Sequence, residues 1–345
     1  MAAYTQTYVD PSINAASGAG TVGDPYGDLQ HALDTITKAT NGDQINIKSG
    51  TAEILSAAIS LTTYGTPTII GPLIFKGYTT AADDGGQGAI SGGGTVAIIN
   101  QTSTNYIYFV DLRLYNTGSV SPAISIDDAC GIINCKIDTG TGAVAVNMGN
   151  IIIFYNNHVT DVNGHFDVAG GNISRNFFED GVTNQFSTKV IDVSSGTRKE
   201  TTIEHNIISI SGSCIGIEVT DGCSIRNNSI YASGAATGRG ISCDATSGRH
   251  MYDCSNNLIE GFSGTGGIGI RGGGEGNYVY QGNAVYDCAT EYSGSDLTDR
   301  DMWGDPATNE TLSASPFTSA STGDFSRVDT GSVKEGSEPP LIGIN

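Results

Sequence analysis

Acidic side chains recur at one position in a series of short segments that alternate apolar and polar residues. Four of them fall on consecutive segments, and an arginine takes the same position on the next one. If the segments are strands with their polar side chains outward, these residues stand side by side on one face. The residues of this acidic column are Asp127, Asp167, Asp192, Glu218, Asp244 and then Arg271.

Carboxylates at this spacing could carry chemistry. Neighbouring strands lie about 4.8 Å apart, so neighbouring carboxylates would repel each other, which raises a pKa or favours a bound cation such as calcium. Pairs on adjacent strands would lie near the roughly 5–5.5 Å separation of a retaining glycosidase, and pairs on alternate strands near the inverting range.

Three interpretations of the acidic column are open. The favoured one is a solvated acidic face, since the chain carries a net charge of −20. The second is binding of a cation or a glycan, with Asp167, Asp192, Glu218 and Asp244 as the ligand-binding residues. The third is catalysis, in which Asp192, Glu218 and Arg271 carry the reaction.

A second repeated pattern, centred on asparagine, follows the alternating segments. The residues three before and two after each asparagine are apolar, so both positions are expected to face a core. The alternating segments, typical of half-buried strands, are AVAVN (143–147), HFDVA (165–169), KVIDV (189–193), IGIEV (215–219), GISCD (240–244) and GIGIR (267–271). The asparagines are Asn157, Asn176, Asn206, Asn228, Asn257 and Asn283, with Cys135 in the same position one unit earlier.

A unit of at least two strands that recurs along a chain predicts a solenoid, in which equivalent strands of successive coils pair in parallel. The repeated asparagines are then expected to form a structural ladder. At a sharp bend between strands, asparagine tolerates the left-handed conformation better than other residues with a side chain. An inward amide at each coil can also bond to the coils above and below.

Segments without the repeat are expected at both ends. GDLQHALDTITKATNG (27–42) has helical spacing, with Asp28 as N-cap and Gly42 beyond the C-terminus, and predicts an amphipathic helix that caps the solenoid. After about residue 290 the pattern stops, and Trp303 and Phe317 are candidate anchors onto the coils. We expect an N-terminal extension with the capping helix over 1–44, coils over 45–290, and a C-terminal cover or oligomer contact over 291–345.

Composition narrows the classes of partner. The net charge of −20 and a pI of about 4.3 argue against nucleic acid and anionic membranes. The opening MAAYTQTYVDP has no secretory signal pattern, and no apolar run approaches the roughly 18–20 residues of a membrane span. The 7 cysteines include no CxxC pair, which predicts small buried side chains and leaves open whether one pair is oxidised.

Three stretches carry a resemblance to a known group: YVDPSINAASGAGTVGDPYGDLQHAL (8–33), GDQINIKSGT (42–51) and SASPFTSASTGDFSRVDTGS (313–332). Together with the asparagine-marked coils, they resemble right-handed parallel β-helix proteins of the pectate-lyase-like superfamily. The resemblance covers nearly the whole chain and implies an all-β, single-stranded right-handed parallel β-helix. It is weak for function, because the superfamily includes polysaccharide lyases, hydrolases, phage tailspikes and non-enzymatic virion or surface proteins.

The catalytic signatures of that superfamily are not found. Asp127 and Asp128 resemble the paired aspartates of polygalacturonase-like hydrolases, but no Gly-His-Gly or Arg-Ile-Lys follows, and NGHFD (163–167) is a partial match. The Trp-x-Asp-His and Arg-x-Pro-x-x-Arg motifs of pectate lyases have no counterpart. His165 and His205 are expected to be surface or turn residues. Calcium-dependent lyases of the superfamily do use acidic residues on a strand face, with arginine or lysine as base.

The preferred functional expectation is therefore a non-enzymatic structural or adhesive protein, either a virion component (tail, fibre or capsid-decorating) or a cell-surface component. Its partners would be other virion or surface proteins, copies of itself as a homo-oligomer, or a glycan, with no nucleic acid and no membrane. No cofactor is expected, although the acidic column leaves calcium open. The alternative is a carbohydrate-active enzyme, a calcium-dependent polysaccharide lyase or a glycoside hydrolase, acting on an acidic glycan.

Overall fold

A computed structural model describes most of the chain, namely residues 3–13, 17–101, 106–126, 129–138, 144–149, 152–181, 185–186, 188–193, 201–220, 222–293, 302–303 and 309–328. Within the strands, side chains are not described for residues 144, 244–252, 274–278, 302–303 and 327. The chain divides into two units, Met1–Val159 and Thr160–Asn345, and each is described by itself.

In the described part of Met1–Val159, the strands stack in three columns of parallel pairs. The first column is Thr5–Val9, Asp43–Lys48, Leu73–Tyr78, Ile107–Val110, Gly131–Ile133 and Ile152–Tyr155. The second is Ile99–Gln101, Ile124–Ile126 and Val144–Met148. The third is Ala52–Ile54, Gly88–Ser91, Leu112–Tyr115, Lys136–Asp138 and His158–Val159.

The described part of Thr160–Asn345 repeats this three-column arrangement. The first column is Gly171–Ser174, Thr201–Glu204, Cys223–Arg226, the second halves of Arg239–Ser255 and Ile268–Gln281, and Met302–Trp303. The second is His165–Val168, Lys189–Val193, Ile215–Val219, the first halves of Arg239–Ser255 and Ile268–Gln281, and Thr290–Ser293. The third is Phe177–Glu179, Ile207–Ser211, Ser229–Ser233, Leu258–Glu260, Ala284–Tyr286 and Glu310–Thr311.

Parallel pairing in register puts like positions of successive coils on top of one another, which builds the core. In Met1–Val159 the inward row of the first column includes Phe75 and Phe109, whose rings stack with centroids 5.1 Å apart. In Thr160–Asn345 the equivalent row includes Ile203 and Ile225. Such β-branched and aromatic side chains suit a pleated, buried surface. The predicted all-β parallel β-helix is confirmed.

The N-terminal helix is shorter than its sequence pattern suggests. It spans Leu29–Thr35 and is capped by Asp28, whose Oδ1 accepts from the backbone N–H of His31 at 2.6 Å. The pattern predicted helix to about residue 41, but Ile36 already has extended backbone. Thr35 Oγ1 donates to the His31 carbonyl, and the Ala39 N–H donates to the Asp43 carboxylate, so side chains take over the bonds of the next turn.

The ladder asparagines bond from coil to coil inside Thr160–Asn345. The backbone N–H and Nδ2 of Asn206 both donate to Oδ1 of Asn228, at 3.1 and 3.0 Å, and Nδ2 also donates to the Ile173 carbonyl at 2.9 Å. The same pair of bonds to the next rung is made by Asn176, Asn228, Asn257 and Asn283. These amides are buried, so each rung satisfies backbone groups that water cannot reach.

Asn157 makes the corresponding contacts in Met1–Val159. Its Oδ1 accepts from the backbone N–H of Cys135 at 2.8 Å, and its Nδ2 donates to the Ile132 carbonyl at 2.9 Å. The Cys135 thiol, which takes the ladder position one coil earlier, donates to the Phe109 carbonyl at 3.6 Å. A thiol therefore fills the ladder position at Cys135.

The left-handed backbone expected at the ladder lies one residue earlier. The residues in this conformation are Asn156, Arg175, His205, Asn227, Asn256 and Gly282, with φ between 54° and 65°. The expectation that the ladder asparagine itself adopts the bend is therefore wrong. The preceding residue turns the chain with φ > 0, and the turn aims the following amide into the core.

The ladder has a further rung that the sequence analysis missed. Asn309 Oδ1 accepts from the backbone N–H and Nδ2 of Asn283, both at 3.0 Å, and Asn309 Nδ2 donates to the Tyr280 carbonyl. The separation of 26 residues from Asn283 equals that between Asn257 and Asn283, so spacing could have identified it. Coil-like pairing thus continues past residue 290, while the domain bounds drawn from the sequence stay a prediction.

The C-terminal segment covers an apolar face of the third column. Phe317–Ser319 pairs antiparallel with Asp324–Arg327, joined by a 3-10 turn at Ala320–Thr322. The buried cluster combines Phe177, Ile207, Leu258 and Ala284 of the column with Leu312, Phe317, Ala320 and Phe325 of the segment. Phe317 is thus an anchor onto the coils, as expected from the sequence, whereas the side chain of Trp303 lies outside the described residues.

Two remaining expectations concern the state of the cysteines and the presence of a membrane span. All the cysteines are free thiols, and all but Cys288 are buried. Among the residues that the structure describes, no helix has the length and apolar character needed to cross a membrane.

Candidate functional site

The parallel register aligns charged residues along one row of the second column in Thr160–Asn345. Asp167 lies opposite Asp192, Asp192 opposite Glu218, Glu218 opposite Ser242, and Ser242 opposite Arg271. We call these five residues the charged row. Neighbours along it are about 4.8 Å apart at the backbone, so three successive carboxylates lead through a serine to an arginine.

One member of the predicted acidic column, Asp244, does not belong to this row. Ser242, not Asp244, lies opposite Glu218, and the backbone of Asp244 pairs with Gly273. The assignment was wrong because a shift by two residues along a strand keeps the same face outward, so alternation cannot distinguish the two positions. The side chain of Asp244 and the whole of Asp127 lie outside the described residues.

Lys189 bridges two of the carboxylates. Its Nζ lies 2.5 Å from Oδ2 of Asp192 and 2.8 Å from Oε2 of Glu218. Burial alone would lower the pKa of this lysine, but its hydrogen bonds to Asp192 and Glu218 raise the pKa overall. Lys189 is therefore a permanent ammonium at neutral pH. The sequence analysis missed it, because a lysine next to an acidic column has no distinctive spacing.

Asp192 is buried, so the favoured interpretation of a solvated acidic face does not hold at this residue. The residue is 4% exposed. Its Oδ2 carries the ion pair, whereas its Oδ1 is buried with no hydrogen-bond partner among the described residues. A buried carboxylate with an unpaired oxygen is costly, and such groups are concentrated at functional sites.

His165 lies beside the same carboxylate. Its Nε2 is 3.8 Å from Oδ2 of Asp192, and its side chain is 16% exposed. His165 is not in a turn, because it begins the strand His165–Val168, where its side chain is partly exposed. His205 does occupy a turn. It has a φ of 56° and directly precedes the ladder residue Asn206.

Asp167 is half-buried at the end of the charged row. Burial raises the pKa of its carboxyl, and the neighbouring Asp192 carboxylate raises it further, while His165 and Lys189 oppose the shift. The net result is a carboxyl that keeps its proton at higher pH than an exposed aspartate. Glu218, in contrast, is a partly exposed carboxylate that accepts from the Lys189 ammonium.

Cationic side chains lie at the other end of the row. Arg239 follows Lys189 and Ile215 along the neighbouring row of the same column, and its NH1 donates to Oγ of Ser242 at 3.1 Å. Arg271 belongs to the charged row itself. The column therefore presents carboxylates at one end and guanidinium groups at the other, which suits an anionic molecule with a bond to be cleaved by acid and base.

No set of three or more His, Cys, Asp or Glu side chains in the described part of the chain is arranged to hold a metal ion. The space between Asp192 and Glu218 is taken by the ammonium of Lys189. Calcium binding at the acidic column stays a prediction.

Comparison with known proteins gives a similarity of fold. No family model matches the sequence, and no curated protein is similar to it. Crystal structures of a GH136 lacto-N-biosidase from Eubacterium ramulus are similar in fold at 12% identity. The native protein has a TM-score of 0.47 over 89% of this chain and 68% of that chain. The selenomethionine derivative has a TM-score of 0.43 over 89% and 67%.

The expectation of a non-enzymatic virion or surface protein is corrected here. The two crystal structures named above are of a glycoside hydrolase, not of a virion or surface protein. Asp192 is also buried, in contrast to the solvated acidic face that was the favoured interpretation of the column. The strand pairing itself identifies the chain as a parallel β-helix.

Proposed function

We propose that the chain is a carbohydrate-active enzyme, a glycoside hydrolase that cleaves an acidic glycan at the charged row. One observation carries the proposal. Asp192 is buried between two more accessible carboxyl groups, ion-paired through one oxygen and unpartnered at the other. Taking such a charge out of water costs stability and brings none of the packing that an apolar residue would give. A catalytic arrangement explains why the residue is there.

Asp167 fits the role of proton donor. A general acid must hold its proton near the working pH and release it to the leaving oxygen in the transition state. Burial and the adjacent Asp192 carboxylate both raise the pKa of Asp167 in this direction. Environments that separate the pKa values of neighbouring carboxyl groups are how glycosidases assign an acid and a base.

Glu218 fits the role of general base. It lies two strands from Asp167 in the same row, so the two backbones are about 9.6 Å apart. That is near the roughly 6.5–9.5 Å carboxyl separation of inverting enzymes, which leaves room for a water between base and sugar. Asp192 is too buried to touch substrate, and we infer that it acts as a positioning residue by holding Lys189 against Glu218.

The guanidinium groups support an acidic substrate. Arg239 lies on the same strand as Ser242, and Arg271 lies on the next strand of the same column. Arginine binds carboxylate and sulfate groups through paired N–H donors. These arginines would therefore hold the acidic group of a sugar unit next to the glycosidic bond that is cleaved.

The test is product formation from acidic glycans such as polygalacturonate and alginate. We expect new reducing ends with inverted anomeric configuration by NMR. Asp167→Asn and Glu218→Gln should each lower kcat by about 10²–10⁴-fold. Asp167→Asn should also remove the alkaline limb of the pH–rate profile, because that limb reports loss of the acid's proton.

A matched control is Asp138→Asn, which removes a carboxylate paired with Arg113 at 2.8 Å away from the charged row. This variant should retain parent activity. Unsaturated product ends would instead indicate a lyase, and no turnover of any acidic glycan by the parent would overturn the proposal.

A further inference from the structure

A second unusual carboxyl group lies in Met1–Val159, at an inward position of the third column. Glu53 sits opposite Ile90 in the parallel register, and the next coils place Leu114 and Ile137 in the same row. Those three side chains are fully buried and apolar, whereas Glu53 is an acid that is 6% exposed. A carboxyl group in an apolar row needs a partner to offset its burial.

The protein supplies a partner for one oxygen of Glu53. Oε1 accepts from the backbone N–H of Leu29 at 3.3 Å. Within the described residues, no hydrogen bond reaches Oε2. The side chain lines a cavity of about 280 Å³, roughly the volume of nine water molecules and just below the usual range of small-molecule sites. The unpaired oxygen therefore belongs to a buried side chain that faces an open space.

The lining of the cavity combines acidic and apolar residues. Asp28 and Asp34 join Glu53, and no lysine, arginine or histidine is among the described lining residues. Asp28 caps the helix through Oδ1, and Asp34 Oδ1 accepts from the Gln30 amide at 3.1 Å. Ile54 and Leu55 contribute the apolar part. The described acids here are not arranged as a metal site.

We propose that this cavity binds a small primary ammonium group carried on a short aliphatic chain, with Oε2 of Glu53 as its main acceptor. The ammonium satisfies the unpaired carboxyl oxygen and offsets the acidic lining. The aliphatic chain lies against Ile54 and Leu55. The site is separate from the charged row and does not depend on the hydrolase proposal.

Titration of Glu53 gives the site a pH dependence. The pKa of Glu53 is raised to about 7, mainly by burial. The hydrogen bond from Leu29 lowers the pKa, and the nearby Asp28 carboxylate raises it further. The titratable groups that share the cavity with it are Asp28 and Asp34. An ammonium requires the ionised form of Glu53, so affinity should fall on the order of tenfold for each pH unit below about 7 and level off above it.

The test uses the full chain with n-butylammonium as probe and butan-1-ol as the neutral probe of similar size. Calorimetric titration at about pH 8 should show saturable binding of the amine and none of the alcohol, with affinity roughly tenfold lower at about pH 6. Glu53→Gln keeps the acceptor for Leu29 and should abolish binding, whereas Asp138→Asn should leave it unchanged.

The pH comparison on the parent protein keeps the test decisive even if Glu53→Gln folds poorly. Equal binding of amine and alcohol would mean that the apolar lining alone is recognised. A matching heat of binding from magnesium or calcium would indicate an inorganic cation site. Either result, or no amine binding at about pH 8, would overturn the proposal.

Discussion

Lys189 and Asp192 form an ion pair across three residues of one strand, with Nζ 2.5 Å from Oδ2. The pair holds a fixed positive charge among the carboxylates of the charged row, because the same ammonium also reaches Glu218 at 2.8 Å. The acidic cluster therefore carries its own internal counter-ion. This relationship changes what calcium is expected to do.

Replacing the counter-ion should expose the repulsion between the carboxylates. Lys189→Met should destabilise the protein by about 2–4 kcal/mol, because the buried Asp192 carboxylate loses its partner. Calcium at millimolar concentration should raise the melting temperature of this variant by binding its native state, and leave the parent unchanged.

The measurement is thermal unfolding with and without calcium. Lys38→Met is the matched control, since Lys38 is exposed and bonds the Thr66 carbonyl at the surface, and it should change stability by less than about 0.5 kcal/mol. A rise in the parent's melting temperature with calcium would show that the ammonium does not fill the cation position.

The asparagine ladder should be sensitive to loss of the amide. Asn228→Leu should cost about 1–3 kcal/mol, because Oδ1 no longer accepts from the N–H and Nδ2 of Asn206. Asn227→Gly, one residue earlier, should be close to neutral, since φ is 55° there and glycine adopts that conformation freely. Urea unfolding of both variants tests this, and a neutral Asn228→Leu would contradict a structural ladder.

Replacing His205 should increase the stability of the protein. Its φ of 56° puts a residue with a Cβ in the left-handed region, at a cost of roughly 1–2 kcal/mol. His205→Gly removes that strain but adds freedom to the unfolded chain, so we expect a net gain of about 0.5–1 kcal/mol. His205→Ala is the control and should show no gain in the same denaturation experiment. A gain from alanine equal to that from glycine would refute backbone strain as the cause.

The C-terminal cover should matter for solubility. Phe325 packs against Phe177 and Tyr231, with ring centroids 5.9 and 6.3 Å away, and Phe325→Ala should cost about 3 kcal/mol. Truncation after Thr311 should expose the apolar face of the third column and cause association, while the β-sheet circular dichroism of the coils persists. Light scattering after size exclusion would measure this. A monomeric truncated protein would show that the segment is dispensable.

Glu53 should give stability a distinctive pH dependence. Its pKa is about 7 in the folded state against 4.5 ordinarily, so the folded state binds the proton more tightly than the unfolded chain. Between those values the free energy of unfolding falls as pH rises. Glu53→Gln should remove this decline and gain about 1–3 kcal/mol over the parent above about pH 7, with little difference near pH 4. Parallel pH curves for the two proteins would disprove the shift.

Much of the fold could be predicted from the sequence, because each coil of a solenoid makes the same contacts with its neighbours and so requires the same residue types. Asn206 and Asn228 recur with apolar neighbours at fixed offsets since each amide must meet the same backbone groups. The helix boundary was harder to predict. It depends on the bond from the Ala39 N–H to Asp43, a contact that tertiary structure makes and local propensity does not contain.

The candidate site was predicted in part. Asp167, Asp192 and Glu218 do share a row, but the register that puts Ser242 in place of Asp244 depends on how strands slide past one another. The role of Lys189 could not be read either. The rotamer of a long side chain such as Lys189 decides which carboxylate it contacts, and sequence does not give the rotamer. The burial of Asp192 depends on its neighbours on other coils.

The ladder also has a direction. From Asn176 to Asn283, every rung donates its backbone N–H and a side-chain N–H to the amide oxygen of the next rung, and the bonds between these amides all run in this one direction. Amide dipoles aligned head to tail polarise one another, so each bond strengthens the next. Loss of one rung therefore leaves donors unpaired on the preceding coil, while the following coil loses donors to its acceptor. The coils of this unit are thus coupled with a polarity: the same lost rung exposes unpaired donors on its N-terminal side and an unpaired acceptor on its C-terminal side.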